Sequence, residues 1–70
     1  MMQRTTVRSS NMASIGYDPD TQTLEIEFMN GSIYQYFDVP LGVFEGLKNA
    51  SSHGEFFNEQ IKGHYRYARV

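Results

Sequence analysis

The closing segment, Lys62-Gly63-His64-Tyr65-Arg66-Tyr67-Ala68-Arg69-Val70, carries the densest chemistry in this chain. Lys62, His64, Arg66 and Arg69 interleave with Tyr65 and Tyr67. Cations neutralise phosphates, and tyrosine rings stack on unpaired bases. Single-stranded RNA and DNA are held by that combination. Arg8 is a candidate neighbour from the other end of the chain. A structural account competes with this one. Aromatic residues near a terminus also clamp the last segment to a core, and basic ends neutralise an acidic body.

The rest of the inventory is poor in chemistry. Ser9, Ser10, Ser51 and Ser52 lie in no G-x-S-x-G context, so none reads as a nucleophile on a sharp turn. His53 and His64 have no third metal ligand near them in sequence, and the chain contains no cysteine. Asp18 and Asp20 begin like a calcium loop, but the glycine and distal glutamate that loop requires are missing. Glu25 and Glu27 share a face, as a glycosidase pair does. Alternating glutamate is also what the solvent side of a strand looks like. The expectation is a non-enzymatic protein with no cofactor and no metal.

Charge is unevenly distributed. The net charge is −2, yet the interval from Asp18 to Glu59 holds all eight acidic residues and one lysine, a balance of −7. Arg4, Arg8, Lys62, Arg66 and Arg69 supply +5 in the two ends. The middle repels a polyanion and the ends attract one. No apolar run approaches the roughly 20 residues of a membrane span. Met1 to Thr6 lack the apolar stretch of a signal peptide, so a cytoplasmic location without membrane contact is expected.

These side chains must be positioned by very little structure. Seventy residues make one small domain, which buries only about 60% of its unfolded surface. Five Phe and five Tyr must fill its core. The clearest element is a hairpin. Leu24, Ile26 and Phe28 alternate with Glu25 and Glu27, Asn30-Gly31 turns the chain, and Tyr34-Gln35-Tyr36 returns. A two-residue turn pairs Met29 with Ser32 and puts both tyrosines on the glutamate face. A three-residue loop with a glycine bulge pairs Phe28 with Ser32 and puts them with Leu24, Ile26 and Phe28. The bulged register is favoured, because so small a core needs the rings.

Asn11 to Tyr17 reads as an earlier strand, with Ala13, Ile15 and Tyr17 on one face and Met12, Ser14 and Gly16 on the other. Asp18-Pro19-Asp20-Thr21 turns it into the hairpin. Val39-Pro40 opens a helix carrying Val43, Phe44, Leu47 and Ala50, with Gly42 and Gly46 on one side. Ser52-His53-Gly54-Glu55 matches a capping box, and the helix it starts carries Phe56, Phe57 and Ile61 to the stop at Gly63. The expected fold is α+β: a three-stranded antiparallel meander followed by two short helices. The closing residues are open to either a short edge strand or an ordered tail. The domain spans 7–70, with residues 1–6 a loose N-terminus.

In order, Ser9-Ser10-Asn11, Ile15-Gly16-Tyr17-Asp18-Pro19, Leu24 to Phe28 with Asn30-Gly31, Tyr34-Gln35-Tyr36, Val39-Pro40, Ala50-Ser51-Ser52 with Gly54, Phe56-Phe57-Asn58 and Ile61 resemble the KTSC domain. That family is named for the C-terminus of some lysyl-tRNA synthetases. The chain departs from the pattern at Gln35, where a basic residue often sits. The resemblance implies a small bacterial or phage protein, or a synthetase appendage, with RNA as the suggested partner. Two functions follow as expectations. The first is RNA binding through Arg8, Lys62, His64, Tyr65, Arg66, Tyr67 and Arg69. The second is a protein-interaction or homodimerising module using an open sheet edge or the Gly42/Gly46 face. Convergence of Arg8, Arg66 and Arg69 on one surface with exposed tyrosines favours the first; scatter favours the second.

Overall fold

A computed structural model describes residues 4–70. Five strands, β1 (Arg4–Thr6), β2 (Met12–Asp18), β3 (Thr23–Phe28), β4 (Ile33–Tyr36) and β5 (Tyr67–Arg69), form one sheet in the order β1-β2-β3-β4-β5. Every neighbouring pair is antiparallel. Helix α1 (Leu41–Asn49) and the short helix α2 (His53–Phe56) lie between β4 and β5 in the chain. Helix α2 runs directly into a π-helical turn, Phe57–Ile61.

The α+β class holds, but the three-stranded meander expected from the sequence is incorrect: the sheet has five strands. Arg4–Thr6, expected to be loose, pair with Gly16, Ile15 and Ser14 of β2. All three side chains are exposed, so this strand carries none of the apolar alternation that reveals a strand. Residues 1–3 of the expected loose start lie outside the described residues. At the other edge, β5 resolves the choice between strand and tail. Tyr67 lies opposite Tyr36 and Arg69 opposite Tyr34. The Phe37 N–H donates to the Arg66 carbonyl at 2.9 Å, and the Val70 N–H to the Ile33 carbonyl at 2.8 Å, extending the ladder at both ends.

The hairpin adopts the bulged register. Leu24 faces Tyr36 and Ile26 faces Tyr34. The Phe28 N–H donates to the Ser32 carbonyl at 2.8 Å, and the Gly31 N–H to the Phe28 carbonyl at 2.9 Å. Gly31 sits at φ 90°, in the left-handed region that a side chain resists. Strand β2 contains a second irregularity. Its register to β3 shifts between Met12 and Ser14, so Met12 pairs with Phe28 while Ser14 pairs with Glu27. The expected grouping of Met12 with Ser14 and Gly16 is therefore incorrect. The extra residue, Ala13, rotates Met12 onto the face of Ile15 and Tyr17, where it is fully buried.

The core is Met12, Ile15, Leu24, Ile26, Tyr36, Val39, Leu47, Phe57 and Ile61. Leu47 projects from α1, and Phe57 and Ile61 from the π turn. Phe44 is half-buried and stacks on Tyr17, with ring centroids 5.0 Å apart. Ser52 caps α2 by accepting a hydrogen bond from the Glu55 N–H at 3.3 Å. His53 Nδ1 lies 2.7 Å from the Leu47 carbonyl, tying the start of α2 to the end of α1.

The two glycines of α1 differ. Gly42 faces open space, whereas a methyl at Gly46 would lie 2.6 Å from the Phe56 ring. Only Gly46 is a point of close approach. Gly42→Ala is expected to stabilise the protein by about 0.5–1 kcal/mol through helix propensity. Gly46→Ala forfeits that gain, because the Phe56 ring must move. Urea unfolding midpoints of the two variants against the parent check the difference.

Candidate nucleic-acid interface

Alternation along β4 sends Tyr34 and Tyr36 to the apolar face of the sheet and Gln35 to the polar face. On β5 the same rule sends Tyr67 and Arg69 to the apolar side and Ala68 away from it. The π turn brings Phe57 over the sheet. Five rings thereby close a circuit. Phe28 meets Tyr34 and Phe57, each at 5.7 Å between centroids. Tyr36 meets Phe57 at 5.6 Å and Tyr67 at 5.7 Å, and Tyr34 meets Tyr67 at 5.9 Å. The contacts with Phe28 and Phe57 are edge-to-face, the arrangement that the ring quadrupole prefers.

These five rings line a cleft of about 340 Å³. Its floor is Tyr36, only 6% exposed, and its outer wall is Tyr67, 62% exposed. Lys62, Gly63, Asn30 and Ser32 complete the lining. The π turn places Lys62, because the Lys62 N–H donates to the Phe57 carbonyl at 2.8 Å, one residue beyond an α-helical bond. Gly63 then turns the chain at φ 81° and sends it back toward β5.

The opposite face of the sheet is polar. Arg4 reaches Glu25 at 3.4 Å and Glu27 at 3.7 Å. Gln35 donates to Glu25, and Ser14 to Glu27, each at 2.9 Å. The paired glutamates are thus held by an arginine, an amide and a hydroxyl. They lie across the sheet from the aromatic cleft.

The residues expected to bind nucleic acid are divided by this geometry. Lys62 and Tyr67 line the cleft, and Arg69 stands beside it opposite Tyr34. His64 is exposed in the turn, its N–H donating to the Ile61 carbonyl. Tyr65 is half-buried against the core and clamps the returning chain. Arg66 turns to the other side. Its guanidinium donates to Asp38 at 2.8 Å and lies 5.6 Å above the Phe37 ring. Arg8 sits in the β1–β2 connection, three or more strand spacings from β5, which is roughly 14 Å or more. The three arginines do not converge, the outcome that favours an interaction module over an RNA surface built from the whole basic segment; only Lys62, Tyr67 and Arg69 come together.

Sequence reasoning placed Tyr34 and Tyr36 in the core and missed Phe28, Asn30, Ser32 and Phe57 as lining. The available signal was the bulged register together with Tyr67. Once Tyr34 and Tyr36 share a face, a neighbouring edge strand must present every second residue beside them. Among the described residues there is no group of three or more His, Cys, Asp or Glu able to hold a metal. No helix among them is long and apolar enough to cross a membrane.

With the geometry established, comparison with known proteins identifies the family. The family model for the KTSC domain matches residues 8–65. This chain belongs to the KTSC domain family. A protein of Stutzerimonas stutzeri is 46% identical over 70 residues, covering 99% of both chains. A lysine–tRNA ligase of a Nostoc species is 54% identical over 54 residues, 77% of this chain but 10% of the ligase. The chain thus spans about a tenth of that relative's length. The crystal structure of a KTSC domain protein from Yersinia pestis superposes with a TM-score of 0.94 at 44% identity, covering 100% of this chain and 99% of that one.

Burial at the cleft floor, with smaller contributions from Tyr34 and Tyr67, pushes the Tyr36 hydroxyl up from 10.0 to about 12. As pH rises past 10, tyrosine ionises in the unfolded chain while Tyr36 keeps its proton in the fold. Stability is therefore present below pH 10 and is lost as pH climbs toward 12. Alkaline titration of tyrosinate absorbance is expected to show a latest component that Tyr36→Phe removes, beyond that of Tyr17, which burial and Asp18 also raise. Tyr36→Ala is expected to cost about 3 kcal/mol or more, measured by chemical unfolding.

Proposed function

We propose that this KTSC domain binds single-stranded RNA on the aromatic side of its sheet, without catalysis. The observation that carries the proposal is the five-ring cleft with a lysine at its rim. Rings give stacking surface to unpaired bases of any sequence, and Lys62 and Arg69 give cations to the backbone. Aromatic cages also attract cations, but the Lys62 ammonium opposes a cationic occupant. Similarity to part of a lysine–tRNA ligase supports the same reading, since that protein's name gives tRNA as what it acts on.

This interface is smaller than the whole basic end of the chain. Lys62, Tyr67 and Arg69 are its contacts. Arg66 points to the other side, toward Asp38 and the Phe37 ring, Tyr65 packs on the core, and Arg8 lies too far along the sheet. A second reading, the protein-interaction module, draws on the divergence of the three arginines and on two open edges, β1 and β5. An added strand from a partner would pair there through the main chain.

Titration of the protein with short single-stranded RNA at two salt concentrations separates the readings. RNA affinity is expected to fall as salt rises, because displaced counterions drive binding. Replacing both Lys62 and Arg69 with Ala is expected to flatten the salt slope by about 1 per lost phosphate contact. Arg66→Ala is expected to change it little. Tyr67→Ala is expected to weaken binding by roughly 1–3 kcal/mol with the slope kept. Absence of any spectral change with RNA at low salt refutes the RNA reading in favour of the interaction module.

A further inference from the structure

The cleft's polar end has a fixed hydrogen-bonding polarity that the aromatic rings do not explain. Asn30 Oδ1 accepts from the Ser32 N–H at 3.0 Å and from the Ser32 hydroxyl at 2.6 Å. A backbone N–H only donates, so the Asn30 atom it meets must be the amide oxygen. The amide nitrogen is consequently the outward group, with two donors to offer. The Ser32 hydroxyl has spent its proton on Asn30 and keeps lone pairs to accept with. Asn30 and Ser32 both line the cleft, which gives its wall one side chain with donors to offer and a neighbour with lone pairs to accept. Every nucleobase carries an acceptor next to a donor on its pairing edge.

Size and charge narrow the occupant further. The volume of about 340 Å³ lies at the small end of ligand pockets, which run from roughly 300 to 1,000 Å³. It holds one nucleotide and not a run of stacked bases. Tyr67 is the exposed wall, and Tyr34 and Phe28 stand next to it in the ring circuit, so a base entering from solvent meets ring surface. Lys62 gives the rim one positive charge for one phosphate.

Resting on the RNA reading above, we propose that the cleft recognises a single unstacked nucleotide. Its base packs among Tyr67, Tyr34 and Phe28, its pairing edge meets the Asn30 amide and the Ser32 hydroxyl, and its phosphate meets Lys62. A base paired in a duplex cannot present that edge. The site therefore selects a terminal, looped-out or single-stranded nucleotide.

Isotope-labelled protein titrated with nucleoside 5′-monophosphates, with adenosine and with ribose 5-phosphate tests this directly. The monophosphates are expected to shift the Asn30 side-chain amide and the Gly63 backbone amide. Adenosine is expected to shift the same signals at about tenfold higher concentration, and ribose 5-phosphate to shift neither. Asn30→Asp keeps the oxygen that holds Ser32 and removes the donors, so the loop is preserved. It is expected to abolish the response to adenosine as well, which a mere charge repulsion of phosphate would not do. Binding of single-stranded RNA with no response to any monophosphate overturns the one-nucleotide cleft while leaving RNA binding standing. Silence toward both overturns the two together. Equal binding of blunt duplex and single-stranded RNA also overturns the proposal, because the pairing edge is then not read.

Discussion

The structure depends on the register of one hairpin. Gly31 at φ 90° makes the loop between β3 and β4 three residues long instead of two. Side chains alternate along a strand, so one residue of slip exchanges the two faces of β4. With the bulge, Tyr34 and Tyr36 join Leu24 and Ile26, and Gln35 joins Glu25. Without it, two tyrosines would stand among glutamates and Gln35 among Leu24 and Ile26. The sheet's division into an aromatic face and a hydrogen-bonded polar face rests on this turn. The same is true of β5, whose Tyr67 is useful only beside Tyr34 and Tyr36.

The Asn30 side chain links this constraint to the cleft. By accepting from Ser32 it holds the bulged loop, and by the same bonds its nitrogen is turned outward. The group that holds the loop is thus the same one that the proposed site uses as a donor. The second bulge, at Ala13, acts similarly for the core: it turns Met12 inward to pack beneath Phe28 and leaves Ser14 to hold Glu27. Two added residues, Ala13 within β2 and one in the loop at Gly31, give a chain of this length both a closed core and an ordered polar surface.

How much of this was legible in the sequence follows from which signals are local. The alternation of Leu24 to Phe28, the turn at Asn30-Gly31 and the cap at Ser52 each depend on near neighbours; the first two appear as read, and of the capping box the Ser52 half does. Tyr36 needed only the size argument, that a small core requires its rings. What escaped depends on distant partners. Arg4-Thr5-Thr6 is an exposed edge without apolar alternation, and its residue types report nothing of the main-chain pairing to β2. The shift at Ala13 leaves no residue signature, since alanine fits either face. The basic segment was visible as composition, but its division was not. Asp38, twenty-eight positions from Arg66, pairs with that arginine on the side away from the cleft.

The sheet also changes the meaning of the acidic middle. Read as a sum along the sequence, the charge from Asp18 to Glu59 repels a polyanion. In three dimensions two of the eight acidic residues, Glu25 and Glu27, lie behind the sheet, held by Arg4, while Lys62, Tyr67 and Arg69 occupy the aromatic side and Glu59 stays in the turn that leads to Lys62. Few cations remain there, so the electrostatic part of any RNA affinity is small. Most of it must come from ring contact within the cleft. The same rings that compensate for a small core also form the cleft, graded from Tyr36, buried at the floor, to Tyr67, open at the rim. Under the proposed reading, changes at the rim act on binding and changes at the floor act on folding. The five-ring circuit joins them through contacts of 5.6–5.9 Å.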